Sequence, residues 1–176
     1  MDVSIVVPLL NEEDSLQELC ERIAKQFQIL KKEFEIIFID DGSTDNSFNV
    51  LLELKEKYQN IRIIQFRKNF GKSAALSEGF KRAAGNFVIT MDADLQDDPA
   101  EIPNLIAKLE ENYDLVSGWK KERHDPIGKT VPSKLFNMTT RKLTGIKIHD
   151  FNCGLKAYRN DVIKAIPVYG ELHRYL

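Results

Sequence analysis

Cysteine is scarce in this chain. Cys20 and Cys153 are the only two and stand 133 positions apart, which excludes a disulfide scaffold and points to a reducing compartment. Two isolated cysteines make no zinc site, and His124, His149 and His173 show no metal-ligand spacing. Long apolar runs are missing as well: none approaches the roughly 18 to 20 residues that span a bilayer. The chain opens on a strand-like stretch, Asp2 to Pro8, in place of a charged and then apolar leader, so neither membrane crossing nor export is expected of these residues. Charge of one sign is lacking overall: 25 Lys and Arg against 27 Asp and Glu leave a net charge of -2, which argues against general nucleic-acid binding.

The glycine signatures of the common nucleotide loops are absent too. Gly71-Lys72-Ser73 and Gly128-Lys129-Thr130 look like the end of a P-loop, but the glycine required five residues upstream is Phe66 in one and Arg123 in the other. After the first strand-like run, Pro8 to Asn11 holds no glycine, so the dinucleotide fingerprint is missing, which argues against a nicotinamide dehydrogenase.

What remains is a soluble, core-forming composition. The 176 residues are 43% hydrophobic and 30% charged, which suits one domain and excludes a disordered tail or a collagen-like repeat. Short apolar runs, Val3 to Val7, Phe34 to Ile39, Ile61 to Phe66, Phe87 to Met91 and Leu115 to Val116, alternate with segments of helical period. In one of these, Leu16, Leu19, Cys20, Ile23, Phe27 and Leu30 recur at steps of three and four; in the next, Val50, Leu51 and Leu54 do so. The alternation predicts an α/β fold with a mostly parallel sheet and helices on both faces. Right-handed crossovers then put ligands at the carboxyl ends of the strands.

Three post-strand stretches are rich in carboxylates. After the first strand come Asn11, Glu12, Glu13 and Asp14; Asn11 is expected to cap the next helix, and Glu12 is either dipole partner or acceptor for a ligand's hydroxyls. After the second comes Asp40-Asp41-Gly42-Ser43-Thr44-Asp45, in which Ser43, Thr44 or Asp45 caps a helix and Asp41 has no evident structural task. After the fourth comes Asp92-Ala93-Asp94-Leu95-Gln96-Asp97-Asp98-Pro99. Strand alternation would aim Asp92 and Asp94 the same way, where two carboxylates repel unless a cation lies between them. An all-oxygen site, with Gln96 as a neutral third donor, suits Mg²⁺ or Mn²⁺ completed by water and a diphosphate. The competing reading is a solvated acidic loop that caps the helix after Pro99.

Charge is also segregated along the chain. Asp92 to Asp114 holds eight acids and one Lys, whereas Lys120, Lys121, Arg123, Lys129, Lys134, Arg141, Lys142 and Lys147 follow with only Glu122 and Asp125 among them. His124, Asp125, Pro126 and Gly128 mark a loop over the site. Glu171 to Leu176 shows no cap or turn, and a longer natural chain is expected.

With Val7-Pro8-x-x-Asn11-Glu12, Asp40-Asp41-Gly42-Ser43-Thr44-Asp45, Asp92-Ala93-Asp94-Leu95-Gln96 and Asp150-x-x-Cys153-Gly154 in this order, the sequence resembles family 2 glycosyltransferases. It looks most like the branch of dolichyl- and polyprenyl-phosphate sugar transferases. The resemblance implies a GT-A fold in a single domain over 1–176, with a nucleotide-sugar and metal half (1–119) and an acceptor-side half (120–176). It implies a nucleotide site at Pro8, Leu10, Glu12, Ile39, Asp41, Asp92 and Ala93, and a divalent ion on Asp92, Asp94 and Gln96. Lys129 and Ser133 match the family's positions for a lipid phosphate, with Lys in place of a frequent Arg at the first. Lys120 stands where some members have Arg, and Arg123 could supply a second guanidinium. Asp94 or Asp150 would serve as base for a sugar-hydroxyl acceptor, and Asp150 could equally begin a turn. The expected activity is sugar transfer from a UDP- or GDP-sugar to a polyprenyl phosphate at the cytoplasmic face of the membrane. A soluble glycan acceptor, a non-catalytic nucleotide-binding fragment and a nucleotidyltransferase are the rivals, the last disfavoured because Pro8 to Asp14 is acidic and lacks a glycine-rich basic loop.

Overall fold

Every residue of β1 (Val3–Leu9) is buried, which demands cover on both faces of the sheet. The computed structural model describes residues 1–118 and 153–165. Its elements continue as α1 (Leu16–Leu30), β2 (Phe34–Asp40), α2 (Ser47–Lys57), β3 (Ile61–Gln65), α3 (Lys72–Arg82), β4 (Phe87–Thr90), a 3-10 turn (Pro99–Glu101), α4 (Ile102–Glu110), β5 (Leu115–Ser117), β6 (Lys156–Arg159) and α5 (Asn160–Ala165). The period of two sorts β1 between two cores. Val3, Ile5 and Val7 pack with α1, α2 and α4, while Val6 packs with Ile37, Ile39 and the α3 residues Ala75, Leu76 and Phe80. Helices therefore flank both faces, as the alternation of runs predicts.

The six-stranded sheet has the order β3-β2-β1-β4-β6-β5. β1 pairs in parallel with both β2 and β4, so the chain winds one way from β1 to β3 and the other way beyond it. That reversal opens a crevice at the carboxyl ends of β1 and β4, where open α/β sheets bind ligands. β6 is the exception to parallel order: it runs antiparallel between β4 and β5. Its four residues, Lys-Ala-Tyr-Arg, are too short and too charged at the ends to show a strand period, and sequence reading missed it. Among the described residues no helix is long and apolar enough to cross a membrane.

The opposite, amino end of the sheet is locked by one carboxylate. Glu35 on β2 is buried and accepts from Ser4 Oγ at 2.6 Å, from the Ala84 backbone N–H at 2.9 Å and from Arg62 Nη1 at 3.0 Å. It thereby joins β1, β2, β3 and the α3–β4 connection. Burial alone would raise its pKa, but the hydrogen bonds from Ser4, Ala84 and Arg62 outweigh burial and hold it below the ordinary 4.5. Because the folded value is depressed, the ionised form stabilises the fold at neutral pH, and this contribution fades as pH falls below about 4.5 through the folded value. Replacing Glu35 with Ala is expected to cost about 2 to 3 kcal/mol in urea unfolding at pH 7, with a smaller penalty in acid. Equal penalties at both pH values would contradict the charge-based account.

Candidate functional site

Three loops meet at the switch point, and side chains tie them together. Asn11 at the end of β1 adopts a left-handed conformation, φ 58°, and its Oδ1 accepts from the Thr44 backbone N–H at 2.8 Å. Ser43 Oγ accepts from the Asn11 N–H at 2.9 Å, and Ser47 Oγ from the Glu12 N–H at 2.9 Å. Asn11 thus does not cap α1, which begins at Leu16 after Ser15. It fastens the first post-strand loop to the second, and so places Glu12. The N-cap of α2 is Asn46 and not Ser43, Thr44 or Asp45, although Asp45, one residue before it, accepts from the Ser47 N–H at 3.0 Å.

The two aspartates after β2 divide their tasks. Asp40 is fully buried and accepts from the Ser43 N–H at 2.8 Å. Asp41 has a structural task that its sequence context does not betray: its two oxygens accept from the Phe70 N–H at 2.7 Å and the Gly71 N–H at 2.8 Å. It thereby draws the loop after β3 across the crevice. Gly42, at φ 79°, permits the crossing, because a Cβ there would lie 2.5 Å from the Lys68 carbonyl carbon.

β4 ends at Thr90, so Asp92 and Asp94 are not strand neighbours, and the alternation argument for their shared direction does not apply. A turn that passes Leu95 at φ 61° carries them instead. The carboxylates that follow separate the two readings of this stretch. Asp98 caps the 3-10 turn by accepting from the Ala100 N–H at 3.0 Å, and Asp97 turns back to accept from the Asp92 N–H at 3.3 Å. Neither Asp92 nor Asp94 caps a helix. Asp94 accepts from the Gln96 N–H at 3.1 Å, whereas Asp92 Oδ1 pairs with Lys72 Nζ at 2.5 Å.

These loops enclose a cleft of about 300 Å³, at the lower end of ligand-sized pockets. Pro8, Leu10, Glu12, Asp41, Asp92, Ala93 and Asp94 line it. Ile39 does not: it is buried in the core beneath α3. Gln96 is exposed and outside the lining, and only its backbone N–H serves Asp94. Asn69, Gly71, Lys72 and Ala75 also line the cleft, and sequence reading passed over them. The signal was present, since they follow β3 and ligands are expected after every strand. Their resemblance to a failed P-loop drew attention away. Lys120, Arg123, Lys129, Ser133 and Asp150 lie outside the described residues.

The cleft is strongly acidic. Of its described lining, Glu12, Asp41, Asp92 and Asp94 carry negative charge and Lys72 alone carries positive charge. Burial raises the Glu12 pKa, and Asp94, Asp45 and Asp92 raise it further, against a lowering hydrogen bond from Ser15. Such crowding favours cations and repels a bare diphosphate. The donors are oxygens only, which suits a hard divalent cation, although among the described residues no three His, Cys, Asp or Glu groups are gathered in metal-holding geometry. Asp92 and Asp94 would share such an ion with its waters.

A sequence model described as Glycosyl transferase family 2 matches residues 4–166. The chain is 38% identical to dodecaprenyl-phosphate galacturonate synthase of Rhizobium johnstonii, over 100% of this chain and 53% of that protein. It is 42% identical to undecaprenyl-phosphate 4-deoxy-4-formamido-L-arabinose transferase of Shewanella sediminis, over 93% of this chain and 50% of that protein. The chain therefore spans about half the length of these relatives. Among solved structures, glucosyl-3-phosphoglycerate synthase from Mycobacterium tuberculosis, in complex with Mn²⁺, UDP and phosphoglyceric acid, superposes with a TM-score of 0.75 at 22% identity, over 96% of this chain and 60% of that one. That similarity establishes the fold.

Asp41→Asn tests the bridge between the second and third loops. An amide keeps one acceptor oxygen and turns a donor toward the other N–H, so stability is expected to fall by about 2 kcal/mol in urea unfolding. A change within a few tenths of a kcal/mol would remove the bridge from the account of the site.

Proposed function

The chain belongs to the family 2 glycosyltransferases, and on that premise we propose that it transfers a sugar, with inversion, from a UDP- or GDP-sugar to a polyprenyl or dolichyl phosphate at the cytoplasmic face of a membrane. The observation that carries the donor side is the acidic cleft at the β1/β4 switch point, whose one described cation already grips Asp92. The acceptor side rests on relatives at 38 and 42% identity whose names specify dodecaprenyl and undecaprenyl phosphate. In this reading residues 1–119 bind the sugar nucleotide, and 120–176 face the acceptor with Lys120, Arg123, Lys129 and Ser133.

Each residue then has a chemical task. Pro8, Leu10 and Ala93 give the nucleoside apolar contact, while Glu12 and Asp41 accept from hydroxyl or N–H groups. Lys72, with one N–H on Asp92, has two further donors for the diphosphate. A Mg²⁺ or Mn²⁺ ion held by Asp92 and Asp94 would neutralise charge on the departing diphosphate. The acceptor phosphate oxygen forms the new bond to the anomeric carbon as the bond to the β-phosphate oxygen breaks, and that electron pair leaves with the nucleoside diphosphate. A phosphate monoester with a second pKa of about 6 is largely ionised at pH 7, so this route requires no protein base. A sugar hydroxyl would require one, and Asp94 or Asp150 would then serve.

Thermal shift with UDP and GDP, each with and without Mn²⁺, tests the donor side. One nucleotide is expected to raise Tm only when the metal is present, and Asp94→Asn is expected to lose the metal-dependent part. A full shift in the variant would refute the ligand role of Asp94. Lys72→Met removes a charge-assisted hydrogen bond worth about 1.5 to 3 kcal/mol, so calorimetry is expected to show nucleoside diphosphate affinity reduced about 10- to 100-fold. Unchanged affinity would remove Lys72 from the donor site. For the acceptor, labelled sugar is expected to partition into organic solvent when the full-length protein is given a polyprenyl phosphate. Label retained in water on a glycan would favour the hydroxyl-acceptor reading.

A further inference from the structure

We propose that Gly154 is a positioning residue for Asp92, an inference that rests on the reading of Asp92 as part of the donor site. The placement follows from the strand that sequence reading missed. β4 and β6 are antiparallel and their pairing ends with Thr90 opposite Lys156, so just past that end, two residues on from Thr90 and two before Lys156, Asp92 and Gly154 come side by side. Thr90 Oγ1 donates to the Gly154 carbonyl oxygen at 2.8 Å and holds the approach.

A Cβ on Gly154 would lie 2.5 Å from Asp92 Oδ2, 2.7 Å from Asp92 Cγ and 2.9 Å from Asp97 Oδ2. These contacts differ in kind from those at Gly85, whose Cβ would strike the backbone of Val3 and Ser4, and at Gly42, whose Cβ would strike the backbone of Lys68 and Asn69. Gly154 is also not among the residues of positive φ, so its chain path does not require glycine. The missing methyl makes room for carboxylates, not for backbone. Asp92 Oδ1 is gripped by Lys72 on the cleft side and Oδ2 rests against Gly154. A methyl group there would turn the Asp92 carboxylate, and the pair with Lys72 would open. The chain returning from the acceptor-side half thus sets where a donor-side carboxylate stands.

Calorimetry of UDP and GDP with Mn²⁺ on wild type, Gly154→Ala, Asp92→Ala and the double variant tests the inference, with urea unfolding of each. Gly154→Ala is expected to weaken nucleotide binding about ten-fold while keeping a cooperative transition near that of wild type. On the Asp92→Ala background the same change is expected to have no further effect, because its target is gone. Wild-type-like binding by Gly154→Ala, losses that multiply in the double variant, or an alanine variant that no longer folds would each overturn the positioning role. Wild type that binds neither nucleotide would instead overturn the donor-site reading beneath it.

Discussion

Mutual repulsion among carboxylates is the constraint around which the carboxyl edge of this sheet is organised. Four acids line one small cleft, and burial raises the pKa of one of them, Glu12, still further. Such an arrangement would splay apart if the loops that carry it were loose. Backbone N–H groups hold it: those of Phe70 and Gly71 on Asp41, that of Gln96 on Asp94, and the Asn11 bridge between the first two loops. Each bond opposes the repulsion locally and leaves the cleft with a standing demand for positive charge.

The two ends of the sheet treat acids in opposite ways. At the amino end, Glu35 is buried, fully partnered and depressed in pKa, so its charge supports folding. At the carboxyl end, burial and the neighbouring Asp94 raise the Glu12 pKa, so the charge on Glu12 opposes folding until something positive arrives. Binding and stability are thereby linked, since whatever neutralises the cleft also stabilises the chain. A site that is costly in the free protein and relieved by its ligand is a common feature of functional surfaces.

Much of this was legible in the residues. Strands β1 to β5 declare themselves through apolar runs, and the carboxylates after β1, β2 and β4 stand where an open sheet places ligands. What stayed hidden depends on partners distant in sequence. The task of Asp41 is set by amides 29 and 30 residues away, and nothing in Asp40-Asp41-Gly42 points to them. Lys72 becomes part of the site only because α3 starts at the crevice, and its glycine-preceded position looked like a defective phosphate loop. β6 is four residues long with charged ends, and its strand character comes from pairing on both sides and not from its own pattern. Alternation along β4 led to two residues that do line the cleft, by an argument that fails locally, because the strand ends two residues before Asp92.

The contrast between Asp92 and Asp94 follows from where each sits in the turn. Asp92 is bounded on several sides: Lys72 takes Oδ1, Gly154 backs Oδ2, and Asp97 accepts from its backbone N–H. Asp94 is exposed, and its carboxylate accepts from the Gln96 N–H. A carboxylate confined in this way presents fixed oxygens, which suits recognition of a rigid ligand group, since little side-chain entropy is left to lose. One that is exposed and tethered through one oxygen suits a small divalent cation that keeps several waters and sets its own coordination geometry. Within the donor-site reading, the first aspartate of the pair orients and the second adapts. The antiparallel strand that wedges Gly154 beside Asp92 is what makes the two unequal.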